Sequence, residues 1–253
     1  MAPKSRKPVL ERLAAVAAAL TVWEVAALLL GQKFLLASPV DVAVRLASIW
    51  REPDFFRAVG FTLARIAGGF GLGLLLGVVL GALAGRFHAA EVLLRPYMVT
   101  VKSVPVASFI VIALVWLTAA RLSVFISLLM VLPVVYNAVL TGVKDLDPKL
   151  SQMADVFAVR PGQRLLYVTL PQLMPQLLSA ISVSLGFAWK AGVAAEVIGI
   201  PTGSIGEKLY YAKVYLNSTD LLAWTVVIVL ASVGMEKLLL LLLRTAWGKA
   251  VRS

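Results

Sequence analysis

Two charged residues, Lys190 and Glu196, stand inside the otherwise apolar stretch Gln172–Ile200. Ionised side chains at bilayer depth are costly, and they occur where they pair, reach a polar surface or line a solute path. The two lie six positions apart, so they are not direct neighbours on a helix. Lys190, next to Trp189, is a candidate for attracting an anionic solute along a translocation pathway, and Glu196 for shaping its gate. The alternative is that each pairs with a neighbouring helix or snorkels to an interface. Other chemistry is scarce. His88 is the only histidine and there is no cysteine, which excludes His-Glu-x-x-His, a disulfide framework and a thiolate metal site. Neither Gly-x-x-x-x-Gly-Lys-Ser/Thr nor Gly-x-Ser-x-Gly occurs, and no spaced carboxylate cluster would hold a metal. No catalytic residue, cofactor or metal is therefore expected in this chain. Transport or scaffolding is what such a sequence can do.

The elements that must position these residues are membrane spans. The chain has 253 residues, of which 60% are hydrophobic and 15% charged, with mean hydropathy +0.92. A soluble domain would carry about 25% charged residues. Runs of about 18–20 apolar residues are long enough to cross a bilayer. The pattern predicts an all-α polytopic membrane protein with about six transmembrane helices in one domain over residues 1–253. The spans are expected at 13–30, 62–85, 96–117, 123–143, 172–200 and 221–243. Residues 1–12 read as a basic tail. Residues 31–61 read as a polar connector in which Ser38 caps an amphipathic helix entered at Pro39. Pro105 predicts a kink in the third span, with Lys102 beside it snorkelling to the interface. In the second span Gly69, Gly73, Gly77, Gly81 and Gly85 recur at every fourth position. On a helix this spacing forms one shallow ridge, which predicts a helix-packing face. The net charge of +11 fits lipid headgroups and the positive-inside bias, with no nucleic-acid partner.

Between the fourth and fifth spans lies the polar stretch SQMADVFAVRPGQRLLYVTLP, residues 151–171. Long ordered connectors tend to be functional. Asp147-Pro148 can start a short helix that continues to Val159, with Pro161-Gly162 breaking it. Ala154 and Ala158, four apart, would offer a face that another protein approaches closely; the alternative is an interfacial amphipathic loop.

The residues of this stretch resemble the cytoplasmic "EAA" loop of permease subunits of ABC importers. That family pattern is Glu-Ala-Ala, three residues, Gly, nine residues, Ile-x-Leu-Pro. Here Gln152, Met153 and Ala154 stand in the Glu-Ala-Ala place, Asp155 follows, Ala158 stands in the Gly place, and Val168-Thr169-Leu170-Pro171 closes the pattern. Further pieces look like the nitrate/sulfonate/taurine branch. These are Trp23-Glu24, Leu36-Ala37-Ser38-Pro39, Thr62-Leu63 with Arg65 and Gly69-Phe70, Ala188-Trp189 with Ala195-Glu196, and Gly203-Ser204-Ile205-Gly206.

The resemblance implies the permease subunit of an ATP-driven importer of the type I ABC fold, in a bacterial cytoplasmic membrane. Partners would be two cytoplasmic ATPase subunits, which use ATP and magnesium, a second copy of this chain in a homodimer, and a periplasmic or extracellular solute-binding protein. Coupling to the ATPase would run through the loop at 147–171, with Gln152, Met153, Ala154, Asp155, Ala158, Gly162, Leu170 and Pro171 as contact or framework residues. The branch implies a small anionic cargo of the sulfonate, taurine or nitrate type. A thiamine-precursor or riboflavin-like cargo is the alternative, and an ATP-independent channel or secondary transporter, or a scaffold without a pathway, are the rivals of another class. With the N-terminus inside, inner segments carry 14 Lys and Arg and outer segments 8. This excess predicts both termini, and the 147–171 loop, in the cytoplasm.

Overall fold

The computed structural model describes residues 7–250, and every regular element in them is helical. In chain order the helices are α1 (Lys7–Leu30), α2 (Pro39–Ile49), α3 (Phe55–Arg86), α4 (His88–Ser103), α5 (Val106–Trp116), α6 (Ala119–Lys144), α7 (Pro148–Val156), α8 (Pro161–Arg164), α9 (Leu170–Gly199), α10 (Ile205–Val214) and α11 (Ser218–Ala250). A π-helical turn, Leu165–Thr169, joins α8 to α9. Residues 1–6 and 251–253 lie outside the described residues, and α1 already begins within the segment 1–12 read as a basic tail.

Five helical stretches are long and apolar enough to cross a membrane: 13–30, 55–86, 119–144, 161–199 and 218–241. The sixth candidate is a bent pair of helices, long and apolar enough only when the two are taken together. Helices α4 and α5 meet at 106°, where a simple kink was expected. The reason is local. A proline excludes the α conformation from the residue before it, and Val104 is accordingly extended at φ −82°, ψ 132°. The chain leaves the helix at Val104 and starts a new one after Pro105. Helix α5, with 11 residues, reaches only roughly 16 Å at 1.5 Å per residue, too short to span a bilayer by itself.

The centre of the molecule is a three-helix packing of α3, α6 and α9. Ile66 and Phe70 from α3, Val131, Val135 and Val139 from α6, and Ile181, Leu185 and Trp189 from α9 form its buried core. The glycine ridge makes the α3–α6 contact possible. A Cβ on Gly73 would sit 2.8 Å from Val131 Cβ, one on Gly77 2.7 Å from Val135 Cβ, and one on Gly85 2.6 Å from Val143 Cγ1. Gly69 and Gly81 meet the backbone of Val124 and Tyr136 in the same way. The ridge therefore packs inside this chain, α3 and α6 running parallel. Ser127 Oγ ties α6 to α9 by donating to the Ala188 carbonyl at 3.1 Å.

One end of the bundle is closed by α2, α10 and the start of α11. Ser38 Oγ accepts from Asp41 N at 3.1 Å and caps α2. Trp23 Nε1 donates to the Ala37 carbonyl at 3.0 Å, holding α1 to the α2 entry. Arg45 pairs with both Glu52 and Asp220, clamping α2 to α11. The opposite end carries α4, α7 and α8, and is called the loop face below.

Candidate functional site

The loop face is built around α7. Asp147 caps it, its Oδ1 accepting from Lys149 N at 2.8 Å, and Pro148 fills the first helical position. The Asp147 N–H donates to Gln172 Oε1 at 2.9 Å, which fixes the start of α7 to the start of α9. The helix ends earlier than the sequence reading placed it. Val159 N bonds to the Ala154 carbonyl at 2.9 Å and Ala158 N to the Asp155 carbonyl at 3.1 Å. This pair of bonds is a Schellman closure, and it needs a left-handed residue at the first position beyond the cap. Ala158 occupies that position at φ 47°. The resembled pattern has glycine here, and the left-handed backbone gives the reason: alanine in this conformation costs roughly 1–2 kcal/mol. Pro161-Gly162 does not break α7; Pro161 opens α8 as its first residue.

This geometry changes which residues can meet a partner. Ala154 is 2% exposed and packs inside the chain, so it offers no outward face, and Ala158 lies beyond the helix. The outward surface comes from Gln152, Met153, Asp155, Val156 and Phe157. Val156 is 82% and Phe157 73% exposed. Large apolar groups left exposed on an otherwise polar loop are informative where isolated exposed leucines on a span are not. Sequence reading passed over Val156 and Phe157 because neither belongs to the resembled pattern. The available signal was the helical spacing that puts Met153, Val156 and Phe157 together at i, i+3 and i+4. Arg164 Nη1 pairs with Asp155 Oδ1 at 2.6 Å, bracing α7 against α8. Leu170 and Pro171 begin α9, and Gly162 has open space where a Cβ would stand.

The three residues assigned to a pathway separate. Lys190 is exposed on α9, on one stripe with Val183, Phe187 and Ala194. Trp189 turns inward and is 3% exposed in the core. Glu196 is fully buried. Thr62 Oγ1 on α3 donates to Glu196 Oε2 at 2.7 Å and itself accepts from Ile205 N at 3.0 Å. Gly206 N also donates to Glu196 Oε2, at 3.5 Å. Glu196 thus joins α3, α9 and the first turn of α10, at the end opposite the loop face. Gly206 permits the joint, since a Cβ there would run into Glu196 itself. The arrangement is that of a fastening between helices. Its partner Thr62, 134 positions away, had no signal in the local sequence.

The chain thus places an apolar knob on a capped loop at one face and a stripe with one exposed cation along the fifth span. No group of three or more His, Cys, Asp or Glu that could hold a metal ion occurs among the described residues. Residues 73–247 match the family model described as binding-protein-dependent transport system inner membrane component. A permease protein of Bacillus subtilis named for aliphatic sulfonates transport is 29% identical over 79% of this chain and 71% of its own length. The taurine transport system permease protein of Escherichia coli is 28% identical over 92% of this chain and 87% of its own. The nitrate import permease protein of Synechocystis is 26% identical over 89% and 83%.

Proposed function

The chain belongs to the family of binding-protein-dependent transport system inner membrane components, and from that premise we propose how it works. It is the multi-pass permease subunit of an ATP-driven importer. Energy enters through α7. The exposed Met153, Val156 and Phe157 dock on a cytoplasmic ATPase subunit, and two such subunits bind and hydrolyse ATP with magnesium. Closure of the ATPase pair pushes α7, and the bonds from Asp147 to Gln172 and from Asp155 to Arg164 carry that push into α9. The observation that carries this reading is the exposed apolar pair Val156 and Phe157 on a braced helix between two spans. Both termini and the loop face lie in the cytoplasm.

Two copies of the chain enclose the pathway, with the α9 stripe of Val183, Phe187, Lys190 and Ala194 facing it. The three relatives are named for aliphatic sulfonates, taurine and nitrate, which share an oxyanion group. The cargo proposed here is therefore a small solute with a sulfonate- or nitrate-like group, delivered by an extracytoplasmic binding protein. Lys190 supplies the cation it passes.

The test of coupling is capture of the ATPase by the affinity-tagged chain from its native membrane. Phe157→Asp should abolish capture and leave the thermal midpoint of the permease in place. Capture unchanged by Phe157→Asp would remove α7 as the docking element. For the cargo path, Lys190→Ala should lower uptake of an oxyanionic solute several-fold at low substrate with ATPase capture intact. Equal uptake by the two proteins would remove Lys190 from the pathway.

A further inference from the structure

A cavity of about 300 Å³ opens between α4 and α6 on the loop face. It is separate from both α7 and the α9 stripe. Glu91, Arg95, Met98 and Lys102 of α4 line one wall, and Tyr136, Asn137 and Leu140 of α6 the other. The four α4 positions fall at i, i+4, i+7 and i+11, one face of a helix. The acid in this row is already engaged: Glu91 Oε1 accepts from Lys144 Nζ at 2.6 Å, and His88 Nδ1 stands 3.7 Å from its other oxygen. Arg95 and Lys102 are exposed and make no ion pair within 4 Å among the described residues, although Arg95 feels the Glu91 charge four residues away. With Glu91 already bonded to Lys144, the cavity carries an excess of positive charge.

Its floor supplies a second, independent sign. Tyr136 is 2% exposed, and its hydroxyl is buried without a hydrogen-bond partner among the described residues. A buried hydroxyl left unsatisfied is destabilising, so a group that accepts its proton is called for. The neighbouring Asn137 amide is turned to its own helix, donating to the Pro133 carbonyl. The rest of the lining is apolar, with Met98 and Val99 on the α4 wall and Leu140 on the α6 wall. Two cations, one free hydroxyl donor and an apolar lining at the end of a membrane-spanning bundle match one kind of ligand. The phosphate takes the polar end and the acyl chains leave along the apolar side.

We propose that this cavity binds the phosphate head group of an acidic phospholipid, with Arg95 and Lys102 as the cationic contacts and Tyr136 as a hydroxyl donor. A bound lipid would bridge α4 to α6 beside the Val104 corner and steady the bent pair.

The test is native mass spectrometry of the full-length chain released from nanodiscs containing phosphatidylglycerol and phosphatidylcholine in equal amounts. Wild type should retain phosphatidylglycerol in preference to phosphatidylcholine. Arg95→Ala with Lys102→Ala should cut retained phosphatidylglycerol about tenfold or more, as expected for losing two charge-assisted contacts. Tyr136→Phe should cut it about threefold, the share of one neutral hydrogen bond. The conservative pair Arg95→Lys with Lys102→Arg should retain the lipid, which separates loss of charge from misfolding. Equal retention of the two lipids by wild type overturns the proposal, as does undiminished phosphatidylglycerol in the double alanine variant. Displacement of the lipid by millimolar inorganic phosphate, with the same residues required, would make the ligand a soluble oxyanion and overturn the lipid assignment.

Discussion

The small residues four positions apart in α3 and those in α7 end in opposite places. In α3, Gly69 to Gly85 turn inward and let α6 approach until its valine side chains and backbone stand within 3 Å of where glycine Cβ atoms would be. In α7, Ala154 turns inward as well, but Ala158 is outside the helix and serves the backbone, closing the last turn in the left-handed conformation. The surface that α7 leaves for a partner is made of its large residues. Spacing of small residues tells that something can come close. What stands opposite decides whether that is the chain's own helix, its own backbone or another protein.

The sharpest way to break this comparison is to fill the ridge. Gly77→Val puts atoms where Val135 already sits and should cost about 3 kcal/mol, the upper range for overpacking a close contact. The readout is the thermal midpoint in detergent, and Val135→Ala in the same chain should recover part of the loss. An unchanged midpoint for Gly77→Val would mean that the ridge does not face α6. A smaller effect of opposite sign is expected at the other site. Ala158→Gly should raise stability by about 1 kcal/mol by relieving the left-handed alanine, whereas the same change at Ala154, inside α7, should lower it by about as much. If Ala158→Gly destabilised the protein, α7 would have to continue through Ala158 as a helix.

Much of this architecture was legible in the residues. The apolar runs gave the crossings, because the cost of exposing backbone and charge to lipid leaves few alternatives. The glycine period identified a packing face before its partner was known. What was not legible depended on distant parts of the chain. Nothing near Glu196 points to Thr62, and the side of α9 that holds Trp189 inward and Lys190 outward follows from where α3 and α6 pack. The corner at Val104 was half visible. Pro105 announced a break, but its angle depends on how α4 and α5 lie on α6 and α9. In the loop, the spacing of small residues and then the family pattern both drew attention to Ala154 and Ala158. The spacing of the large apolar residues would have drawn it to Val156 and Phe157, which the fold leaves exposed.

The central claim is that α7 is the place where an ATPase grips this chain. The absence of cysteine from the sequence makes a direct measurement possible. Phe157→Cys would carry the chain's only thiol, and a short bifunctional thiol–amine cross-linker applied in native membranes would join it to whatever lies within reach. The account requires a cross-linked product containing the ATPase subunit, lost when the thiol is moved to the exposed Val115 of α5, at the end of the bent pair. A Phe157→Cys chain that cross-links to no ATPase while the assembled importer still transports would contradict it.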